Sequence, residues 1–251
     1  MSQRAPYSRL AVRREGRILW VELLEGSAAE GANRRLCAEL EDLCREIEHS
    51  DDIRVLVLVY GNASLRSQPG ELAFDGGVRL VSLVAELALP VIAALRGDVT
   101  GLSLELALAC DIRIGVKGSC FGLPQLVEGS MPCAGGTQRL PRLVGKSKAL
   151  EMILTGHPVD AEEAVRIGLI QHLVPVDDLM TCALKLASDI GTASPLAARF
   201  AKEALYSGLD LTLDQGMRME LDLYLLLFST EDRVEGIHAF QQKRRPDFVG
   251  R

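Results

Sequence analysis

The apolar positions fall into two periods along the chain. Ile18-Leu-Trp-Val-Glu-Leu-Leu24 is a short run of β-favouring residues. From Asn33 to Ser50 the apolar residues Leu36, Leu40, Leu43 and Ile47 recur at helical spacing. Ile53-Arg-Val-Leu-Val-Leu-Val-Tyr60 then reads as a buried strand closed by Gly61-Asn62. A strand, helix, strand order so early in the chain predicts parallel pairing through a crossover helix. Asn62 to Gly77 is rich in Gly, Ser, Pro and Gln, a long polar connection of the kind that carries function in α/β proteins. Val78 to Leu89 resumes the helical period, and Pro90-Val-Ile-Ala-Ala-Leu95 is the next strand. Gly97 and Gly101 bracket a tight turn into a further helix, after which Asp111–Gly115 and Ser119–Gly122 read as two more strands. Strand, turn and helix units continue at lower contrast from Lys146 to Val174.

After Pro175 the pattern changes to successive helices over 177–190, 195–207, 213–228 and 231–242. Pro195 suits a first helical turn, with Ser194 as its cap. In the third of these helices Met217, Met219, Leu221, Leu223, Leu225, Leu226, Leu227 and Phe228 cannot all face one core, which points to subunit association. The division expected is a core over 1–192 and a helical oligomerisation region over 193–251.

With 251 residues, 48% of them hydrophobic and 25% charged, the chain has the composition of a globular protein with a large core and not of a disordered or coiled-coil one. A net charge of -6 argues against a general nucleic-acid surface, the local exception being Lys243-Arg-Arg245. Six cysteines lack CxxC or paired Cys/His spacing, so reduced thiols are expected and no metal site. The amino terminus is polar with no signal-type segment, and no apolar run reaches the about 18 residues of a membrane span. These features imply a soluble cytoplasmic protein without membrane or nucleic-acid partners.

Glu105 stands alone in the apolar run Gly101-Leu-Ser-Leu-Glu-Leu-Ala-Leu-Ala-Cys110. A carboxylate there is costly to bury unless it is hydrogen-bonded or used, and burial raises its pKa toward a range useful for proton transfer. Around and beyond it, Pro90-Val-Ile-Ala-Ala, Glu105-Leu-Ala-Leu-Ala-Cys-Asp-Ile-Arg-Ile114, Phe121-Gly-Leu-Pro, Gly135-Gly-Thr-Gln-Arg-Leu-Pro-Arg-Leu-Val-Gly145, Glu151-Met-Ile-Leu-Thr-Gly156, Ala161-Glu-Glu-Ala164, Ser194-Pro-Leu-Ala197, Thr230-Glu-Asp232, Glu235-Gly236 and Ala239-Phe-Gln-Gln-Lys-Arg244 follow one another in order. In these motifs the chain resembles the crotonase superfamily, the enoyl-CoA hydratase and isomerase family. The resemblance implies an α/β fold, the crotonase (ClpP-like) spiral of ββα units with a C-terminal helical trimerisation region, assembled as a homotrimer or a dimer of trimers. The N-terminal third matches less well: Glu25–Asn33 and Arg66-Ser-Gln-Pro-Gly-Glu-Leu72 replace segments that are more regular in the family.

The resemblance further implies an acyl-CoA thioester substrate, coenzyme A entering as part of it with no separate cofactor, and stabilisation of a thioester enolate by two backbone N–H donors. By position these are the amides of Gly70 and Leu102, Leu102 standing where the family usually has glycine. Glu105 would be the general acid or base. Gln125 occupies the place of the second glutamate of the hydratases, and an amide orients water but takes up no proton at neutral pH. Two-carboxylate hydration is therefore in question. Open beside a hydratase or isomerase are an acyl-thioester decarboxylase or hydrolase on the same scaffold, and a non-catalytic acyl-CoA-binding protein. Gln68, Gly70, Leu72, Phe240 and Lys243 match coenzyme A-binding positions, the last two often serving a neighbouring subunit. Among the remaining candidates, Cys133 is expected to shape the pocket, His157 and His172 to lie at the surface or a strand edge, and Gly135-Gly136 to serve turn geometry. Glu71 and Asp75 are loop carboxylates that could supply a substitute acid.

Overall fold

The fold is that of a computed structural model, which describes residues 7–24, 32–65 and 76–251. A parallel sheet forms where the buried β-branched runs lie. Its strands are β1 (Leu10–Glu15), β2 (Ile18–Leu23), β3 (Val55–Tyr60), β4 (Val91–Leu95), β6 (Ile112–Val116) and β9 (His172–Val174), adjacent in that order. β1 runs antiparallel to β2, and every other pair is parallel. Between β2 and β3 the chain crosses over through α1 (Ala32–Glu48), as the alternating periods predict. β1 is a strand the sequence did not reveal, because only Leu10 of its six residues is buried.

Both faces of the sheet are covered, and the alternation of side chains shows it. Leu56, Leu58 and Tyr60 of β3, with Val91, Ala93 and Leu95 of β4, join a core shared with α1, α2 (Gly77–Ala85) and α3 (Leu102–Ala109). The intervening Val55, Val57, Val59, Ile92 and Ala94 face the other way, against Leu179, Ala183 and Ala187 on one stripe of α7 (Leu179–Gly191). Burying both faces explains why β3 reads as one continuous apolar run.

A second sheet of three short strands stands beside the first: β5 (Val99–Thr100), β7 (Cys120–Gly122) and β8 (Val159–Asp160). β5 and β7 are parallel, so the segments that follow them, Gly101 into α3 and Leu123 into a 3-10 turn at Pro124–Leu126, emerge at the same end. The helices α4 (Gly136–Val144), α5 (Lys146–Thr155) and α6 (Ala161–Arg166) complete this side.

The helices α8 (Pro195–Gly208), α9 (Leu213–Leu227) and α10 (Glu231–Gln241) follow, with Ser194 Oγ accepting the cap bond from Ala197 N–H. Side-chain bonds tie them to the core. Lys202 Nζ donates to Asp111 Oδ2 at 2.8 Å and Tyr206 Oη to Asp111 Oδ1 at 2.9 Å. Asp232, almost wholly buried, accepts from Ser194 Oγ at 2.7 Å and from the Val249 N–H at 2.7 Å, which folds the C-terminal tail back. Arg54 meets that tail from the other side, donating to the Gly191 and Phe248 carbonyls. Of the apolar residues on α9 only Leu223 is buried; Leu213, Met217, Leu221, Leu225 and Leu226 are exposed.

Candidate functional site

The site forms at the carboxyl ends of β3 and β4, where α/β sheets place their ligands. Asn62, just past β3, is fixed by the turn after β4: its Oδ1 accepts from Thr100 N–H at 2.7 Å and its Nδ2 donates to Thr100 Oγ1 at 3.0 Å. Gly101 then has φ 58 and ψ -130, a conformation open to glycine and strained for other residues. That turn lets Gly101 N–H donate to Gly122 O while its own carbonyl accepts from the N–H groups of Leu104 and Glu105, starting α3.

Leu102 is the first helical residue. Its N–H therefore has no intrahelical acceptor, and positive φ among the described non-glycine residues is confined to Lys243. The unusual backbone geometry is carried by Gly101, so leucine at 102 costs no strain. Its side chain packs instead on the start of α2, where a Cβ added to Gly77 would lie 3.0 Å from Leu102 Cδ2. Gly70, Gln68, Leu72, Glu71 and Asp75 lie outside the described residues.

One turn into α3, Glu105 points inward with 2% of its surface exposed. Oε1 accepts two backbone hydrogen bonds, from Ala134 at 2.7 Å and Gly136 at 2.9 Å. Gly135, in the left-handed region at φ 101, turns the chain so that the alternate N–H groups reach one oxygen. Gly136 is the first residue of α4, and its otherwise unpaired N–H serves an anion, as helix starts do. A Cβ there would lie 3.0 Å from Glu105 Oε1, so the close approach requires glycine. Oε2 accepts from Gln125 Nε2 at 3.2 Å. Burial lifts the Glu105 carboxyl above the usual carboxylate range, opposed by the Gly136 and Ala134 amides and by the charge of Arg139.

Gln125 reaches Glu105 because β5 and β7 are parallel neighbours; twenty residues separate the two in sequence. Its other amide atom, Oε1, is buried and finds no hydrogen-bond donor among the described residues. The Cys133 thiol is raised above its usual value by burial and then by the charge of Glu105, so it is held neutral. His157 is exposed and His172 lies on the edge strand β9. Phe240 projects from α10 with 84% of its surface exposed, and Lys243 follows it with its N–H on the Phe240 carbonyl. The hydrogen bonds around Glu105 include neither.

Sequence reasoning singled out Glu105 and Gln125, which the structure brings together, and read Gly135-Gly136 as turn geometry. The structure adds a second role, delivery of two main-chain donors to Glu105. The unusually small residues of Ala134-Gly-Gly136 were the signal available. A cavity of about 330 Å³ at the ends of β2 and β3 is bordered by Leu24, Tyr60, Asn62 and Arg96 and, like the larger hollow, by none of Leu102, Glu105, Gln125, Ala134 and Gly136. The larger hollow, about 690 Å³ between the β1–β2 turn and α7, is lined by none of the residues around Glu105.

The same arrangement of strands and helices recurs in known proteins. The enoyl-CoA hydratase of Bacillus anthracis superposes with a TM-score of 0.87 at 32% identity, over 97% of this chain and 100% of that one. The 2,3-dehydroadipyl-CoA hydratase of Escherichia coli is 38% identical over 97% of this chain and 100% of its own length. The crotonyl-CoA hydratase of Syntrophomonas wolfei is 30% identical over 98% and 99%. The family model described as enoyl-CoA hydratase/isomerase matches residues 69–251. The chain belongs to the enoyl-CoA hydratase/isomerase family and has the crotonase fold.

Proposed function

We propose that this protein is an acyl-CoA lyase or isomerase that forms a thioester enolate, with Glu105 as its one proton-carrying group. The observation that carries the reading is the environment of Glu105. A carboxylate 2% exposed, held on one oxygen by two backbone amides, is positioned for proton transfer by its other oxygen. The Leu102 N–H, at the start of the same helix, supports a role as one oxyanion donor, with the Gly70 amide as the second. Relatives named as hydratases of 2,3-dehydroadipyl-CoA and crotonyl-CoA bring the acyl-CoA thioester to this chain. Coenzyme A enters as part of the substrate, with Gln68, Gly70 and Leu72 as candidate contacts from the family resemblance.

Gln125 in place of a second carboxylate favours reactions that one acid or base can run. The exposed apolar stripe of α9 and the exposed Phe240 and Lys243 favour a homotrimer or dimer of trimers, assembled through 193–251, in which α10 serves a neighbour's ligand. Among the described residues no helix is long and apolar enough to cross a membrane.

The test is turnover of a panel of enoyl-, 3-hydroxyacyl- and malonyl-type CoA esters by the parent and by Glu105→Gln. Turnover of at least one ester by the parent alone is expected. If both proteins bind the esters and neither turns any over, the chain is a binding protein and the catalytic reading fails.

A further inference from the structure

The peptide that carries the Leu102 N–H is gripped from both sides by one short segment of chain. Tyr60 ends β3, and Asn62 stands two residues on. Ahead of the turn, Asn62 accepts from the Thr100 N–H at 2.7 Å and donates to Thr100 Oγ1 at 3.0 Å. Behind it, Tyr60 Oη donates to the Ser103 carbonyl at 3.2 Å. Gly101 and Leu102 are thus bracketed by side-chain bonds from Tyr60 and Asn62. The grip has a rigid base: the Tyr60 carbonyl accepts from Arg96 N–H at 2.8 Å, and Asn62 N–H donates to the Asp98 carbonyl at 3.2 Å. A Cβ on Gly61 would run into the Arg96 carbonyl, so glycine between the two residues lets the ends of β3 and β4 meet. Tyr60 is buried, and burial lifts its hydroxyl well above the usual phenol value, which keeps it a neutral donor. Phenylalanine would fill the same space; what the hydroxyl adds is the bond to α3. The turn itself needs holding, because glycine at 101 leaves it free to move and the Leu102 side chain is packed against Gly77 of α2.

We infer that Tyr60 and Asn62 are positioning residues that together set the direction of the Leu102 N–H, the oxyanion donor, without touching the substrate. This rests on the enolate-forming reading above and adds to it the source of the donor's aim. An oxyanion donor acts through a direction fixed before the reaction begins. A displacement of about 1 Å in such a group costs on the order of 100-fold in rate. The amides that hold Glu105 come from Ala134 and Gly136, outside the clamp, so its loss disturbs the donor and leaves the proton carrier in its environment.

Two readouts on the full-length protein test this in Tyr60→Phe, Asn62→Ala and Asn62→Asp. One is steady-state kinetics across pH on the best acyl-CoA ester; the other is the infrared carbonyl band of bound butyryl-CoA, isotope-labelled at the thioester carbonyl. A well-aimed N–H polarises that carbonyl and lowers its band on binding. Tyr60→Phe and Asn62→Ala should each lower kcat roughly 3- to 10-fold, the worth of one hydrogen bond, with KM and the pH–rate profile unchanged. Each should also return the band part of the way to its position in the free ester. Asn62→Asp still accepts from the Thr100 N–H and from its hydroxyl, and should keep the parental kcat and band. Asn62 is only half-buried, so Asn62→Ala tests the clamp even where Tyr60→Phe lowers stability. Folded variants with the parental band overturn the assignment, whatever their kcat, and leave the enolate reading intact. A parent that shows no band shift on binding and turns over no ester removes both.

Discussion

Replacing Gly136 by alanine tests how the position of Glu105 governs its chemistry. The new methyl carbon would lie 3.0 Å from Glu105 Oε1, 3.1 Å from Glu105 Cγ and 3.0 Å from Pro132 Cβ. Carbon contacts are comfortable at about 3.5–4.0 Å, so the carboxyl must retreat by about half an ångström. That retreat breaks the 2.9 Å bond from Gly136 N–H and leaves the bond from Ala134. A hydrogen bond to a charged group contributes about 1.5–3 kcal/mol, and about 1.4 kcal/mol is tenfold in rate, so kcat/KM should fall by roughly 10- to 100-fold. Because the lost amide is one of the groups that hold the Glu105 pKa down, the limb of the pH–rate profile due to this carboxylate should move to higher pH. Stability should fall by about 1–3 kcal/mol with the lost bond. Gly136 is helical without positive φ, and alanine offsets part of the cost by its better helix propensity, about 0.5–1 kcal/mol. The assay is steady-state turnover of the best acyl-CoA ester across pH, beside thermal unfolding. A well-folded Gly136→Ala protein with parental kcat/KM and an unmoved profile would refute the reasoning. Gly135→Ala is the contrasting control: at φ 101 it should lower the melting temperature, since the strain there belongs to the backbone.

Other expectations follow from the same geometry. In Glu105→Gln the new carboxamide oxygen can keep the Ala134 and Gly136 bonds while Gln125 flips to accept from its NH2, so the variant should fold. The folded pKa of Glu105 is raised, so the native state binds the proton more tightly than the unfolded chain, and stability is lost as pH rises from about 4.5 through the folded pKa. Glu105→Gln should therefore gain in melting temperature over the parent as pH rises through that window; a constant difference from pH 4 to 8 would contradict the shift. Asp232→Ala leaves the Val249 N–H and Ser194 Oγ without their acceptor and should cost about 2–4 kcal/mol in denaturant unfolding; a loss below about 0.5 kcal/mol would show that the tail is not held there. Met217→Glu with Leu221→Glu places charge on the exposed stripe of α9 and, if the proposed association through this stripe holds, should lower the mass read by light scattering toward that of a monomer; a parental mass above the monomer's would move the interface elsewhere.

Much of the fold could be read from the chain because the parallel sheet is buried on both faces. β3 and β4 are unbroken apolar runs, and α1 carries one clear stripe. β1 could not, since an edge strand with one buried residue has no period of two to detect. The two-residue strands β5 and β8 are too short to carry any period, yet β5 beside β7 is what sets Gln125 against Glu105. Glu105 was legible as a lone charge in an apolar helix. Its Ala134 and Gly136 partners were not, because main-chain donors leave no side-chain signature. The exposure of α9 was half legible: its apolar residues are too many for one core, but which of them turns inward depends on tertiary packing, and Leu223 does.

The central claim is that one buried carboxylate moves protons at the α-carbon of an acyl thioester. Incorporation of solvent deuterium into a saturated acyl-CoA, followed by mass spectrometry, measures that step without requiring the full reaction. The parent should exchange the α-protons, and Glu105→Gln should slow exchange by about 10²–10⁴-fold while binding the ester as tightly. Exchange by Glu105→Gln at the parental rate would contradict the account.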